Sequence, residues 1–223
     1  MLGSNWNRCM KKKHIWWAVA GIGAAAALGA VLWGPIASQV ERARYKTVER
    51  KRNIEIRDYT PMIVAETEVL GDREEAIQRG FRTLADYIFG NNTESRLIAM
   101  RAAVTQQPRG EKIAMTAPVT QQAENGGWTV RFVMPARFTL DTLPEPNNPA
   151  VGLKHVEAKR VAAIRFSGVA RDASLRRHAQ RLEEFLRAKG FRPLSPPAFA
   201  FYNPPWTLPF LRRNEVMIEI ARG

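Results

Sequence analysis

Ile98-Ala-Met-Arg-Ala-Ala-Val-Thr-Gln-Gln107 is answered fifteen residues later by Ile113-Ala-Met-Thr-Ala-Pro-Val-Thr-Gln-Gln122. Only Arg101/Thr116 and Ala103/Pro118 differ between the copies. Pro108-Arg-Gly-Glu111 between them is turn-forming, and two β-prone runs joined by a short turn read as a hairpin. Each copy alternates, with Ile98, Met100 and Ala102 on one face and Ala99, Arg101 and Ala103 on the other. One repeat of so short a period excludes a solenoid. The stretch predicts a duplicated strand.

Working outward, Tyr45 to Asp58 and Met62 to Leu70 read as strands around a Tyr59-Thr-Pro61 turn. Asp72-Arg-Glu-Glu75 then supplies an acidic N-cap with Glu at N3, close to a capping box. Ile77, Phe81, Leu84, Ala85 and Ile88 follow at helical spacing, and Gly90-Asn-Asn92 stops the helix. Beyond the duplicated strand, Asn125-Gly-Gly127 turns into a strand from Trp128 to Met134. Pro135 to Pro149 carries four prolines and predicts an irregular crossing. Strand-like sequence resumes from Val151 to Ala170. A second helix runs from Asp172 to Lys189, with Leu175, Ala179, Leu182 and Phe185/Leu186 on its apolar face and Gly190 as stop. Ala198 to Tyr202, a proline-rich loop through Pro209, and the alternation of Val216, Ile218 and Ile220 complete the chain.

The two halves parallel each other. Val64-Ala65 leads through Gly71-Asp72 into the first helix, and Val161-Ala162 leads through Gly168 and Asp172 into the second. The pattern predicts an α+β domain: a distorted antiparallel β-barrel or curved sheet with two helices outside it and a pseudo-twofold internal duplication.

Composition narrows the functional classes. The 223 residues suit one domain plus an extension, and an apolar fraction of 45% supports a core. Of the net charge of +13, four positive charges lie in residues 1–40, on Arg8, Lys11, Lys12 and Lys13, leaving nine on 41–223. Such a balance favours anionic partners. The basic residues are scattered among acids and no nucleic-acid motif is present, so nucleic acid is not an expected partner. Cys9 is the only cysteine, which excludes an intrachain disulfide.

Residues 15–33 are uncharged, and no charge follows until Glu41. At about 1.5 Å per residue the run matches the ~30 Å hydrocarbon core. Basic residues precede it, and Trp16, Trp17 and Trp33 sit near its ends as interfacial anchors do. A cleavable signal peptide ending near Ile36-Ala37-Ser38 is the alternative. The expected division is a basic flank at 1–14, a transmembrane anchor and exit at 15–40, and a domain at 41–223. The basic flank places that domain outside the cytoplasm, although Arg42, Arg44 and Lys46 weaken the bias.

Lys112-Ile-Ala-Met-Thr-Ala-Pro-Val119 resembles the signature of the SOUL heme-binding protein family. Tyr87-Ile-Phe-Gly-Asn91, Phe138-Thr-Leu-Asp-Thr-Leu-Pro-Glu-Pro146, Arg165-Phe-Ser-Gly168 and Tyr202-Asn-Pro-Pro-Trp206 with Arg212-Arg-Asn-Glu-Val216 resemble further landmarks in the same order. The resemblance spans about Tyr45 to Ile220 and implies a distorted barrel with two helices. It also implies non-covalent binding or carriage of heme or a related tetrapyrrole. In the family the heme cleft is attributed to the exposed side of the first helix and the late proline-rich loop. The matching positions are Gln78, Phe81, Ala85 and Asp86, with Trp206 and Thr207. The basic residues of the family's cleft are absent at these positions, and Asp86 is an acid there.

The residues themselves offer no catalytic motif: no nucleophile elbow, P-loop or metalloprotease helix. A porphyrin slot needs apolar walls and cations for two propionates. Phe81, Leu84, Ala85, Met100, Met115 and Trp206 can supply the walls; Arg82, Arg212 and Arg213 can supply cations. His178, at the edge of the second helix's apolar stripe, is the candidate axial ligand; no other metal site is expected. A membrane-tethered protein-interaction module and a tetrapyrrole-modifying enzyme are the alternative readings.

Overall fold

The computed structural model describes residues 41–94, 110–124, 126–204 and 206–222. The predicted anchor and the first copy of the duplicated strand lie outside the described residues. No helix among the described residues is long and apolar enough to cross a membrane.

In chain order the elements are β1 (Tyr45–Lys51), β2 (Ile54–Tyr59), β3 (Met62–Val69), α1 (Arg73–Ile88), β4 (Asn92–Thr93), β5 (Val119–Glu124) and β6 (Gly127–Val133). There follow β7 (Glu145–Pro146), β8 (Gly152–Val156), β9 (Lys159–Phe166), α2 (Asp172–Ala188), β10 (Ala198–Phe201) and β11 (Asn214–Ile220). Nine strands form one antiparallel sheet in the order β1-β2-β9-β11-β10-β5-β6-β3-β8, and β4 pairs with β7 apart from it. The sheet curls into a half-barrel, its edge strands β1 and β8 left unjoined.

The duplication is visible in register. β3 and β9 have eight residues each and the same burial pattern, with four consecutive buried positions. β9 pairs with β2, and β3 pairs with β8, so each half lends the strand before its own central strand to the other. Both links into the helices pass through a glycine at positive φ, Gly71 at 108° and Gly168 at 100°, where a Cβ would be strained. The halves meet where β10 pairs with β5.

Each helix buries one stripe on the same side of the sheet. Leu175, Ala179, Leu182 and Leu186 of α2 pack on Ile56, Ala162, Ile164, Val216 and Ile218. Their spacing follows the 3.6-residue period, and each buried leucine contributes roughly 1.5–3 kcal/mol of transfer free energy. Leu84, Tyr87 and Ile88 of α1 pack on Ala65, Val130 and Phe132. Gly80 lets α1 approach closely: a Cβ there would stand 2.5 Å from Val130 Cγ2.

Three local readings change. The strand expected over Tyr45–Asp58 is a hairpin, turning at Arg52 with φ 56°. Asp72 occupies the N-cap of α1 without a side-chain capping bond. Of the second strand copy, only Val119–Gln122 enters a ladder, in β5. Pro118, which follows a cis peptide bond, has no N–H for a ladder. The residues before it are held instead by Ile113 N–H donating to Ile88 O at 2.8 Å and Ala117 N–H donating to Glu41 O at 2.9 Å.

Candidate functional site

The helix stripe that faces the sheet leaves Gln78, Arg82 and Asp86 of α1 exposed. Phe81 lies at the flank of the stripe. It is 36% exposed, and its ring meets Phe132 edge-on at 5.3 Å. Ala85, one turn further, is buried. The strip therefore offers an aromatic face backed by the core and one exposed guanidinium at Arg82. Asp86 accepts a bond from Asn91 Nδ2 at 2.5 Å, which ties it to the helix end.

Trp206 and Thr207 belong to a different neighbourhood. Thr207 is buried while Trp206 is 72% exposed. Thr207 N–H donates to Pro204 O at 3.0 Å, and its carbonyl accepts from Arg212 Nε at 2.7 Å. Pro209 O accepts from Gly168 N–H at 2.8 Å, and Asn214 Nδ2 donates to Gly168 O at 3.0 Å. The polar bonds of the described part of this loop thus lead to the β9–α2 turn and to β11. The structure groups Gln78, Phe81, Arg82 and Ala85, and sets Trp206 with Thr207 on the other half.

His178 sits on α2. Its ring stacks on Phe166 with centroids 4.0 Å apart and 12° between planes. Nδ1 lies 2.7 Å from Ser174 O, an acceptor to which it donates its proton. Met115 packs against the α1 core; Met100 lies outside the described residues. His155 Nδ1 lies 3.1 Å from Glu157 Oε1. Among the described residues no His, Cys, Asp and Glu cluster could hold a metal.

The sheet face opposite the helices carries what the sequence reading missed. Two adjoining cavities of about 470 and 300 Å³ share Ala43, Met62, Val133 and His155 in their walls. The larger is lined by Arg42, Arg44, Phe138 and Leu140, the smaller by Glu66, Arg131, Lys154 and Lys159. Residues 41–44 strap across this face. Their polar ties include Ala117 N–H to Glu41 O at 2.9 Å, Ala43 N–H to Ala117 O at 3.3 Å and Thr60 N–H to Arg44 O at 3.2 Å.

Two charged networks stand on the same face. Arg57 grips Glu215 with Nη1 at 2.6 Å and Nη2 at 2.9 Å. Glu215 also accepts from Tyr202 Oη at 2.8 Å and Arg213 Nη2 at 2.8 Å. Burial pushes the Glu215 carboxyl up, and the Arg57 hydrogen bond with the Arg57 and Arg213 charges outweighs it, leaving it below its ordinary value. Burial first, and then the Glu215 charge, hold the Tyr202 phenol well above its ordinary value. On the other half, Glu66 accepts from Arg131 Nε at 2.7 Å and pairs with Lys154. Burial raises the Glu66 carboxyl, and the Lys154 and Arg131 bonds carry it below its ordinary value.

Solved structures share the fold at low identity. The crystal structure of the EcmrR C-terminal domain aligns at 12% identity over 80% of this chain and 99% of that one, TM-score 0.53. A hydrolase from Listeria innocua aligns at 12% identity over 78% and 94%, TM-score 0.53. An uncharacterized conserved protein from Listeria innocua aligns at 13% over 77% and 93%, TM-score 0.54. No curated protein matches the chain. The sequence profile described as SOUL heme-binding protein matches residues 40–219, which takes in both helices and every strand described above except the last residue of β11. The chain belongs to the SOUL heme-binding protein family.

Proposed function

We propose that residues 41–223 bind heme or a related tetrapyrrole non-covalently, at a membrane to which residues 15–33 tether them, as a carrier without bond-making chemistry. The family membership carries this reading. The α1 strip supports it locally: Phe81, braced by Phe132, presents a flat apolar face, and Arg82 is the cation on the same strip for a propionate. His178 lies on α2 rather than α1, and His178→Ala followed at the Soret band tests it as the axial ligand.

The test is a hemin titration of residues 41–223, which carry every described strand and helix, followed at the Soret band. An unrelated basic protein of equal charge is the control. Saturable one-to-one binding that Phe81→Asp abolishes, with unchanged circular dichroism, is the expected result. Binding that matches the control would remove the carrier reading.

A protein-interaction module on a membrane stalk is the second reading. Asp86 favours it, because an acid on the α1 strip opposes a propionate. Recovery of the same partner from native membranes with and without added heme would select it.

A further inference from the structure

Four large apolar side chains crowd one exposed loop. Trp206 is 72% and Phe210 70% exposed, and Leu208 and Leu211 are exposed beside them. A soluble surface rarely groups so much apolar area without a partner. The loop is not loose: the bonds from Gly168, Arg212 and Asn214 described above hold it against the β9–α2 turn. That turn adds exposed Val169 to the patch.

A basic rim lies beside it. The β1–β2 turn is joined to the end of β9 by Arg165 N–H donating to Asn53 O at 2.9 Å and Asn53 Nδ2 donating to Arg165 O at 2.8 Å. This brings Lys51, Arg52 and Arg165 to the same end of the sheet as the loop, with Arg171 at the start of α2. All four are exposed, and none has an ion-pair partner among the described residues. The acids at that end are engaged: Glu55 by Arg50 and Arg57, Asp172 by Arg73.

The root of the loop is also where the chain enters the domain. Tyr202 packs with Ala117, and Ala117 N–H is bonded to Glu41 O. In sequence, only seven residues separate the end of the 15–33 run from Glu41.

We propose that this end of the domain is a bilayer-docking surface. Trp206, Leu208, Phe210 and Leu211 enter the interfacial layer of an anionic lipid membrane, and Lys51, Arg52, Arg165 and Arg171 meet lipid phosphates. Indole and phenyl rings are favoured at that depth, and a basic cluster is drawn to anionic headgroups within a Debye length. A protein partner would leave the rim of four cations without its counter-charge unless that partner were strongly acidic. The surface is separate from the α1 strip, so the proposal stands whether or not heme binds there.

The experiment uses the full chain with Cys9→Ser, reconstituted into vesicles of phosphatidylcholine alone or mixed with phosphatidylserine. A nitroxide is attached through Phe210→Cys, or through Leu70→Cys as a control beside the other end of β5. Collision with oxygen and with a water-soluble nickel complex reads depth. In mixed vesicles the residue-210 nitroxide becomes shielded from nickel at least fivefold relative to residue 70. Replacing Lys51, Arg52 and Arg171 together by Gln, all exposed, removes most of that shielding. Equal nickel exposure of the two nitroxides in mixed vesicles would overturn the proposal. So would dipolar broadening between 210 labels, which would mean that a second copy covers the patch.

Discussion

The two halves of the sheet solve one electrostatic problem in opposite ways. Arg57 on β2 stands opposite Val161, the third residue of β9, and Lys154 on β8 stands opposite Val64, the third residue of β3. The two cations are therefore counterparts in the duplication. Arg57 is closed in, with Glu215 at 0% side-chain exposure and two tyrosines around it. Lys154 remains 61% exposed over Glu66 and lines the smaller cavity. The acids are not counterparts: one comes from β11, the other from β3. Duplication preserved the backbone register and left each half to find its own counter-charge. One half became a sealed brace and the other an open wall of the cavities.

That contrast predicts a ranked set of losses. Glu215→Ala leaves Arg57 and Arg213 facing each other in a closed site, and costs about 3–5 kcal/mol of stability; chemical denaturation measures it, and a loss below 1 kcal/mol would mean that the brace is open to water. Gly80→Ala forces a methyl against Val130 and costs about 1–3 kcal/mol by overpacking, while Ala179→Gly on α2 costs about 2 kcal/mol, from lost helix propensity and the buried methyl it removes. Glu66→Gln, in the wetter half, costs about 1–2 kcal/mol, since Arg131 and Lys154 can turn to solvent. At the small end, Lys159→Gln removes a half-exposed pair with Glu219 and changes stability by less than about 1 kcal/mol.

Acid should separate the halves as well. Glu215 and Glu66 are both held below their ordinary value of 4.5 in the folded protein. Folding therefore favours their ionised forms. The resulting stability is complete above the usual carboxylate range and is lost as pH falls through the depressed folded values. Unfolding free energy measured against pH should be flat near neutrality and fall below about pH 5. Glu66→Gln should flatten part of that fall. An identical slope in the variant would place the acid sensitivity on the other depressed carboxyls, Glu215 and Asp58.

Much of the fold was legible because it rests on local periodicity. The stripe Leu175, Ala179, Leu182, Leu186 and the alternation of Val216, Ile218 and Ile220 follow from helix and strand geometry and recur as buried faces. The parallel between Gly71 and Gly168 marks the duplication in the sequence itself, and both residues adopt positive φ. What misled was the copied string: its identity says nothing about which N–H groups find a ladder, and Pro118 with the strap at Glu41 diverts the segment before Val119. Of the candidate site, Phe81 at the flank of a helix stripe was readable from spacing. The separation of Trp206 from α1 was not, because the hydrogen bonds that place the loop come from Gly168 and Asn214, over thirty and eight residues away.

The sequence alone determined the α+β class, both helices, the paired halves and the apolar run at 15–33, since each depends on periodicity or on an uninterrupted string. Only the tertiary structure decided that β2 and β8 cross to the other half of the sheet, that Arg57 meets Glu215 across 158 positions, and that an apolar loop and a basic hairpin share one end of the sheet. Those are relations between strands distant in sequence. They are set by register and sheet curvature, and no local pattern encodes either.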